Sequence, residues 1–378
     1  MSETETPPEL DRVADAPHPR ETTVLYGQEH SEKLFLDAWA GERLHHAWLL
    51  RGPKGIGKAT LAYRMARAIL ADGPVQEASL FGGPAVPQTL ESPADCPIAQ
   101  RIRAGSEPRL SVLRLGYNPN TGRPRTQVVI EDVRATKSFL QLSAADGGWR
   151  VVIVDAADQM NRSAANALLK ILEEPPERVL MILISHAPGG LLPTIRSRCR
   201  FLDLSPLNSA DLSKALAQTE IDVAGRDKAA LAELAGGSVG RAIELIKGDG
   251  LDTFAKLVGM MQTGRVNRHD MGVLSAKAGG ASGAQHYAMI SDLLQVLVGR
   301  LAHAAATGLP PPPAAPQEPE LMAIAAASPA QAPYWADASA RIGQSLRHAM
   351  AVNLDPSQTI IDTLLDLDTV LGEVRRAA

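Results

Sequence analysis

The sequence is short of several kinds of residue, and each shortage excludes a class of protein. Only two cysteines, Cys96 and Cys199, occur in 378 residues, which excludes a disulfide scaffold and indicates a reducing compartment. Lys and Arg number 38 against 42 Asp and Glu, so no global positive field favours nucleic-acid binding. No apolar run reaches the roughly 18 residues of a membrane span, and Glu3, Glu5 and Glu9 stand where a signal peptide needs positive charge. We therefore expect a cytoplasmic protein without membrane contact.

The chain is long enough for two or three domains, because single cores stop growing near roughly 250 to 300 residues. Residues 1–20 are acidic and contain prolines, which predicts a disordered leader. Strand and helix patterns alternate over residues 21–205 and predict an α/β domain with a mainly parallel sheet. Residues of about 72–109, rich in Pro, Gly and small side chains, interrupt this pattern and are predicted to be an insertion.

The remainder of the chain is predicted to be helical. Short helices are expected over residues 206–248, and long helices rich in Ala and Leu over 249–378. Residues 309–320 carry a run of prolines, which predicts a stiff linker. The apolar stripe of the final helix fits either an ordinary core or an oligomerisation surface. The predicted fold class is therefore α/β plus all-α.

A glycine-rich turn joins the first predicted strand, Ala47–Leu50, to a helical pattern that begins at Lys58. Gly52 to Lys58 has the G-x-x-x-x-G-K spacing of a phosphate loop, in which glycines turn successive backbone N–H groups inward and the lysine reaches the β- and γ-phosphates. A strand-to-helix turn without a ligand is the simpler alternative. The predicted nucleotide-binding residues of this turn are Gly52, Pro53, Lys54, Gly55, Ile56, Gly57, Lys58, Ala59 and Thr60.

The eighth position of the loop departs from the pattern. A nucleotide-hydrolysing loop places a Ser or Thr hydroxyl there to bind Mg²⁺, and this chain has Ala59. Thr60 is a poor substitute, since a shift of one residue on a helix rotates a side chain by about 100°. We expect weak nucleotide binding at most and inefficient hydrolysis.

Polar residues at the ends of two later strands complete the predicted site. The β-branched run Val151–Val154 predicts a central parallel strand, and Asp155 stands at its carboxyl end, where a carboxylate meets Mg²⁺ through water. The next residue, Ala156, cannot act as the base that many such ATPases carry there. Ser185 ends another apolar strand and is a candidate sensor of the γ-phosphate, although a strand-end cap is an alternative. Arg241, in the first turn of a helix, is predicted to face a nucleotide.

Five segments taken in order, GPKGIGK, VVIVDAAD, NALLKILEEPP, SRC and GGSVGRA, resemble the clamp-loader branch of the AAA+ family. The resemblance covers roughly residues 20–246. It implies an AAA+ phosphate-loop domain, a small helical lid at 206–248 and a helical collar at 249–378. The collar would build a hetero-pentamer with gamma/tau and delta subunits, which contacts a sliding clamp and primed DNA.

The resemblance also implies a role for Arg198, the arginine of the SRC segment. In the family this arginine projects into the ATP site of a neighbouring subunit, as an arginine finger in trans. A guanidinium is permanently charged and binds phosphate oxygens through a fork of N–H groups, which suits that role. Arg196 and Arg200 are alternative cations, and a solvated basic surface is the simpler explanation. Cys199 is expected to be a small buried residue.

Three departures from the family pattern narrow the prediction. Family members often carry a cysteine-bound zinc in the insertion, where this chain has only Cys96, so we predict no zinc and no other metal site. Ala59 and Ala156 favour a non-hydrolysing stator over a gamma/tau motor. The expected cofactor is ATP or ADP, weakly bound, with Mg²⁺ only alongside ATP.

Little intrinsic ATPase activity is expected from such a stator. It would count as a DNA-directed DNA polymerase, a nucleotidyltransferase, only through membership of a polymerase holoenzyme. Two alternatives stay open: an autonomous ATPase motor, with hydrolysis dependent on Lys58, and a DNA-binding scaffold, with salt-sensitive DNA affinity.

Overall fold

A computed structural model of the chain gives the fold. It describes residues 9–13, 16–41, 44–72, 88–93, 95–118, 121–141, 148–262, 268–279, 283–326 and 328–377. The described residues divide into two units. The first holds the residues up to Ile221 together with Ser238–Gly240, and the second holds Asp222–Gly237 and the residues from Arg241 onward. The predicted separation of a lid at 206–248 from a collar at 249–378 stays a prediction.

A parallel five-stranded sheet forms the centre of the first unit, in the order β2-β3-β4-β1-β5. All four strand pairings are parallel, which confirms the predicted α/β class. The strands are β1 Ala47–Arg51, β2 Leu110–Arg114, β3 Arg150–Asp155, β4 Val179–Ser185 and β5 Arg200–Asp203.

The three central strands are apolar on both faces because helices cover both sides of the sheet. In β1, Trp48 and Leu50 pack into the core on one face, and Ala47 and Leu49 pack into the core on the other. The same alternation runs through β3 and β4, and β4 is buried over its whole length. The strand ends therefore meet at two well-defined edges of the sheet.

The helices of the first unit begin and end where local chemistry dictates. Helix α5, for example, begins after Asn161, whose side chain accepts a hydrogen bond from the backbone N–H of Ala164 at 2.9 Å. It ends at Glu173, just before Pro175 and Pro176, which cannot continue a helix. The helices of this unit are α1 Glu29–Ala40, α2 Lys58–Asp72, α3 Pro97–Arg103, α4 Ile130–Gln141, α5 Arg162–Glu173, α6 Pro193–Arg196 and α7 Ser209–Leu216.

The second unit is all-helical in its described residues. Helix α9 begins at Val239, so its first residues belong to the first unit. No helix among the described residues is long and apolar enough to cross a membrane. The helices are α8 Lys228–Ala235, α9 Val239–Lys247, α10 Gly250–Gln262, α11 Arg268–Gly279, α12 Gly283–Thr307, α13 Glu318–Ala325, α14 Ala332–Ala351 and α15 Pro356–Ala377.

The proline-rich segment 309–320 is not simply a linker. Its end forms the start of α13, and Glu318 is fully buried. Its carboxylate contacts Arg300 at 2.7 Å and accepts a hydrogen bond from the backbone N–H of Ala314 at 2.6 Å. Burial of this carboxylate depends on a cation 18 residues away in the sequence, so composition could not reveal it.

Part of the predicted disordered leader also packs against the first unit. Residues 9–13 and 16–20 are described, and His18 is fully buried. Arg20 contacts Glu9, and its Nε donates to the carbonyl of Arg103 at 3.1 Å. The polar residues that suggested disorder are here partners of distant charges. Residues 1–8, 14 and 15 lie outside the described part of the chain.

Candidate functional site

The phosphate loop lies at the carboxyl end of β1, as its sequence predicted. Gly52, Gly55 and Gly57 have φ angles of +145°, +80° and +97°, which L side chains rarely adopt. Helix α2 starts directly afterwards at Lys58. Pro53 and Lys54 are exposed at the tip of the loop, and Ile56 is fully buried beneath it. The loop therefore has the backbone conformation and the helix N-terminus that an anion site requires.

Two distant segments hold the loop in place. The Ser238 hydroxyl donates to the carbonyl of Lys54 at 2.9 Å, and the backbone N–H of Gly240 donates to the carbonyl of Gly55 at 3.3 Å. A Cβ atom at Gly55 would lie 2.3 Å from Ser238 Oγ, so only glycine fits there. On the other side, the Gln28 amide donates to the carbonyls of Ile56 at 3.3 Å and of Ser205 at 2.8 Å.

Lys58 is turned into the loop. Its side chain is 3% exposed, and its amine donates to the carbonyl of Gly52 at 2.7 Å and to that of Pro53. Burial lowers the pKa of Lys58 to about 8, against the opposing effect of Asp155 and Asp158. The amine is thus held at the centre of the loop, with two carboxylates near enough to influence it.

Asp155 stands at the end of β3, as predicted. Burial raises the pKa of this carboxyl to about 6; Asp11 raises it further and Lys58 opposes the rise. In the sheet, Asp155 pairs with Arg114 of β2 on one side and Ile184 of β4 on the other. The carboxyl group therefore lies at the same edge of the sheet as the phosphate loop.

Ser185 and two residues that the sequence did not single out complete this edge. Ser185 is fully buried beside Arg51, the last residue of β1, and its hydroxyl has no hydrogen-bond partner in the part of the chain that is described. Asp158 accepts a hydrogen bond from the backbone N–H of His186 at 3.0 Å. Burial, with Lys58 second, lowers the pKa of His186 to about 4. The ends of β3 and β4 are thereby tied together.

These residues fit the phosphates of a nucleotide but lack a metal ligand that such loops use. The glycine backbone, Lys58 and the unpartnered hydroxyl of Ser185 are donors suited to phosphate oxygens. At the metal position, Ala59 offers only a methyl group, which packs against the core, and Thr60 is displaced around the helix. No group of three or more potential metal-ligating side chains occurs among the described residues.

A buried charge cluster from the N-terminal segment adjoins this edge and was missed in the sequence. Asp11 contacts His18 at 3.2 Å and also Arg114, the last residue of β2. Although burial raises the pKa of Asp11, hydrogen bonds from His18 and Arg114 hold it well below its usual range. The His18 ring packs edge-on against Tyr63 of α2 at 5.8 Å. No local motif marks these residues, because their partners lie far away in the sequence.

Arg198 lies elsewhere, in the turn between α6 and β5. Its Nη1 donates to the carbonyl of Thr194 at 3.0 Å, and its Nη2 lies 2.8 Å from Glu173 Oε1. The side chain is 36% exposed. Ser197 also donates to the Thr194 carbonyl, at 3.1 Å, while Cys199 packs against the core. The SRC segment thus presents its arginine outward from a turn anchored by its neighbours.

The two alternative cations and Arg241 have different surroundings. The Arg200 guanidinium lies over the ring of buried Trp48, 5.1 Å from its centroid, whereas Arg196 ends α6 and is half-buried. Arg241 belongs to the second unit, where it contacts Asp292 at 2.6 Å. Its predicted role toward a nucleotide stays a prediction, as do the roles of the other site residues.

Comparison with known proteins finds a matching family model and several relatives. Residues 27–208 match the family model described as DNA polymerase III, delta subunit. DNA polymerase III subunit delta' of Pseudomonas aeruginosa is 37% identical over 154 residues, which are 41% of each chain. The subunit of the same name from Escherichia coli is 33% identical over 218 residues, 58% of this chain and 59% of the relative. Subunit gamma of Buchnera aphidicola is 28% identical over 227 residues, 59% of this chain and 57% of the relative.

Solved structures resemble the chain more distantly. The RuvB branch migration motor of Thermotoga maritima aligns with a TM-score of 0.37 and 19% identity, over 75% of this chain and 79% of that one. A DNA polymerase III gamma subunit-related protein of the same organism aligns with a TM-score of 0.33 and 16% identity, over 92% and 99%.

The matched part of the chain spans about half the length of the curated relatives, between 41% and 59% of those given above. The family model covers the phosphate loop, the strand ends and the turn that carries Arg198. These matches support the clamp-loader resemblance drawn from the NALLKILEEPP and SRC segments. Residues 27–208 therefore match the DNA polymerase III delta-subunit family model, and relatives named as delta' subunits of DNA polymerase III share this part of the chain.

Proposed function

We propose that the chain is the delta-prime stator of a DNA polymerase III clamp loader. In this role it presents Arg198 to ATP held by a neighbouring gamma/tau motor subunit. It thereby helps to couple ATP hydrolysis to loading of a sliding clamp onto primed DNA. The proposal goes beyond the family resemblance, because it assigns a task to the Arg198 side chain and a partner subunit to the surface that carries it.

The placement of Arg198 on the sheet carries this proposal. The phosphate loop follows the carboxyl end of β1, whereas Arg198 precedes the amino end of β5, the parallel neighbour of β1. Arg51 pairs with Asp203, and Trp48 pairs with Arg200. At 3.3 Å per residue, the two sites are about 15 Å apart along the strand direction. Arg198 is therefore separated from its own phosphate loop by the length of β1, which suits a role toward a nucleotide on another molecule.

The chemistry retained at each site supports the same division of labour. Ala59 and Ala156 remove the metal hydroxyl and the base from the chain's own loop, so it lacks the groups that position Mg²⁺ and activate water. At Arg198, a partly exposed guanidinium held by two contacts is available. A guanidinium supplied in trans stabilises the negative charge that redistributes over the transferred phosphoryl group. In GTPases that use such an arginine finger, it raises kcat by about 10³ to 10⁵.

For the chain's own loop, we propose that ATP or ADP binds weakly and plays a structural part. A bound nucleotide would supply phosphate charge to the buried amine of Lys58, and Mg²⁺ would accompany ATP only. The donors of the loop, Lys58 and Ser185 would hold the phosphates. The proposed partners are gamma/tau and delta in a hetero-pentamer, with the clamp and primed DNA bound through that assembly.

The decisive experiment measures ATP hydrolysis by a reconstituted complex. The complex is prepared so that only the motor subunit next to this chain has an intact phosphate loop. Hydrolysis is then observed at that one site. Arg198→Ala should leave assembly intact and lower clamp- and DNA-stimulated turnover at that site by at least about 100-fold, since the finger charge is lost. Arg198→Lys should restore little, because an ammonium lacks the planar fork.

The matched controls are Arg196→Ala and Arg200→Ala, which remove neighbouring cations from the same turn. Each should change turnover less than about threefold. Normal turnover with Arg198→Ala in an intact complex would refute the proposal, and a large loss with either control alone would move the finger role to that residue.

An autonomous motor is the second candidate, because gamma subunits are also relatives and the loop backbone is intact. It predicts turnover by the isolated chain that Lys58→Ala abolishes. Absence of turnover alone, combined with Arg198-dependent turnover in the complex, would favour the stator.

A further inference from the structure

We propose that Glu173 is a positioning residue for the arginine finger: its carboxylate fixes the orientation in which Arg198 is presented to the partner's nucleotide. This inference rests on the proposed function, because it assigns a task to a second side chain at the same site. Glu173 is not itself placed to touch the nucleotide. Its effect passes through Arg198.

The geometry supplies two fixed points for the guanidinium. Nη2 lies 2.8 Å from Glu173 Oε1, and Nη1 donates to the Thr194 carbonyl at 3.0 Å. Two contacts at different nitrogens fix both the position and the plane of a guanidinium, whereas one contact would leave it free to rotate. Three of its five N–H groups have no partner among the described residues and are available for phosphate oxygens.

Both anchors of the pair are held by the same core. Leu172 precedes Glu173 and is 2% exposed, and Ile195 follows Thr194 and is fully buried. Both side chains belong to the core on one face of the sheet, against which Cys199 also packs. The carboxylate and the carbonyl are therefore mounted on backbone that cannot move independently, which is what a positioning contact requires.

The electrostatics of the helix end favour a cation next to the Glu173 carboxylate. Glu173 is the last residue of α5, where the partial negative charge of the helix end disfavours an acid. Glu174 follows it, and Pro175 and Pro176 prevent the helix from continuing. Lys170 is the basic residue of the last turn, and Arg198 adds a second positive charge that contacts Glu173 directly. The pair is thus favoured by the whole helix terminus and not by one contact alone.

The test is a double-mutant cycle in the reconstituted complex. Glu173→Ala should lower kcat at the adjacent site about fivefold and leave the KM for ATP unchanged, since an exposed pair contributes modestly to orientation. In an Arg198→Ala background the same substitution should have no further effect, because the group it positions is gone. Glu173→Asp should recover part of the lost rate.

Glu174→Ala is the matched control, since it removes the adjacent acid of the same helix end and should leave kcat unchanged. A second readout uses the isolated chain. This readout reports whether the pair of Arg198 and Glu173 forms in solution. The Nε–H NMR signal of Arg198 should shift with Glu173→Ala and stay in place with Glu174→Ala.

The outcomes separate the two proposals. If Arg198→Ala lowers turnover and Glu173→Ala does not, or raises it, the finger stands and the positioning role is wrong. An equal loss from Glu173→Ala in both backgrounds would mean a structural role and would also overturn the inference. If Arg198→Ala leaves turnover unchanged, the proposed function itself fails.

Discussion

The phosphate loop and the turn that carries Arg198 adjoin the same sheet, but they differ in how far their charged groups are exposed to solvent. At the loop, Lys58 and Asp155 lie among protein atoms, and burial shifts both pKa values toward the neutral forms. At the turn, Arg198 stays partly in water, paired with an exposed Glu173. Buried charge favours a fixed, closed arrangement, whereas exposed charge is ready for a partner. Under the proposed function, the loop is structural and the turn supplies the catalytic charge.

The sharpest test of this contrast compares the loss of the loop lysine with the loss of the turn arginine in the same reconstituted complex. Lys58→Ala should change stimulated turnover at the adjacent motor site less than about threefold, whereas Arg198→Ala should lower it at least about 100-fold. Turnover by the reconstituted complex provides the measurement, with thermal unfolding of each variant as a check on folding. Equal losses from both substitutions would abolish the proposed contrast.

The packing of the loop can be disturbed without touching a charge. Gly55→Val places a Cβ 2.3 Å from Ser238 Oγ and 3.1 Å from the backbone nitrogen of Gly240, at a φ of +80°. Strain and overpacking together should lower the free energy of unfolding by about 2–5 kcal/mol. Urea unfolding measures this loss. Gly189→Ala, where a Cβ meets nothing within 4 Å, is the control and should cost below about 0.5 kcal/mol.

The buried carboxyl of Asp155 predicts a pH dependence of stability. Its pKa rises from 3.8 to about 6 on folding, so the native state binds the proton more tightly, and the ionised group destabilises the fold above pH 6. Asp155→Asn should therefore stabilise the chain at pH 8 by about 1–3 kcal/mol, since one pKa unit corresponds to about 1.4 kcal/mol and the value of about 6 already includes the attraction of Lys58. The gain should shrink as the pH falls toward 4, where the carboxyl is protonated in the native state and close to half protonated in the unfolded state.

Thermal unfolding of both proteins from pH 4 to pH 8 checks this prediction. A constant difference between them over that range would mean that the Asn gain comes from packing and that the carboxyl is not strained by burial.

The smallest effect is expected at the turn. Ser197→Ala removes one exposed hydrogen bond to the Thr194 carbonyl, which still accepts from Arg198. We expect the free energy of unfolding to fall by less than about 0.5 kcal/mol and turnover of the complex to fall by less than about twofold. A loss of tenfold or more would mean that Ser197, and not Glu173, holds the finger.

Sequence patterns located several elements of the α/β unit to within one or two residues, but not α3 inside the predicted insertion. The predicted strand at Ala47–Leu50 extends by one residue to Arg51, and the helix predicted from Lys58 begins there. These elements were predictable because apolar runs, glycines and prolines act locally. The proline-rich segment and the N-terminal leader were harder, since Glu318 and His18 are stabilised by Arg300, Asp11 and Arg114 from other parts of the chain.

By itself, the sequence determined the phosphate loop, the end of β3, the SRC segment and the absence of a hydroxyl at Ala59, because each depends on residue type and spacing along a short stretch. Only the tertiary structure decided that Ser238 and Gly240 support the loop and that Glu173 meets Arg198. It also showed that the loop and Arg198 lie at opposite ends of two neighbouring strands, β1 and β5. These relations join residues that are far apart in sequence, and they are fixed by strand order and core packing, which no local pattern encodes.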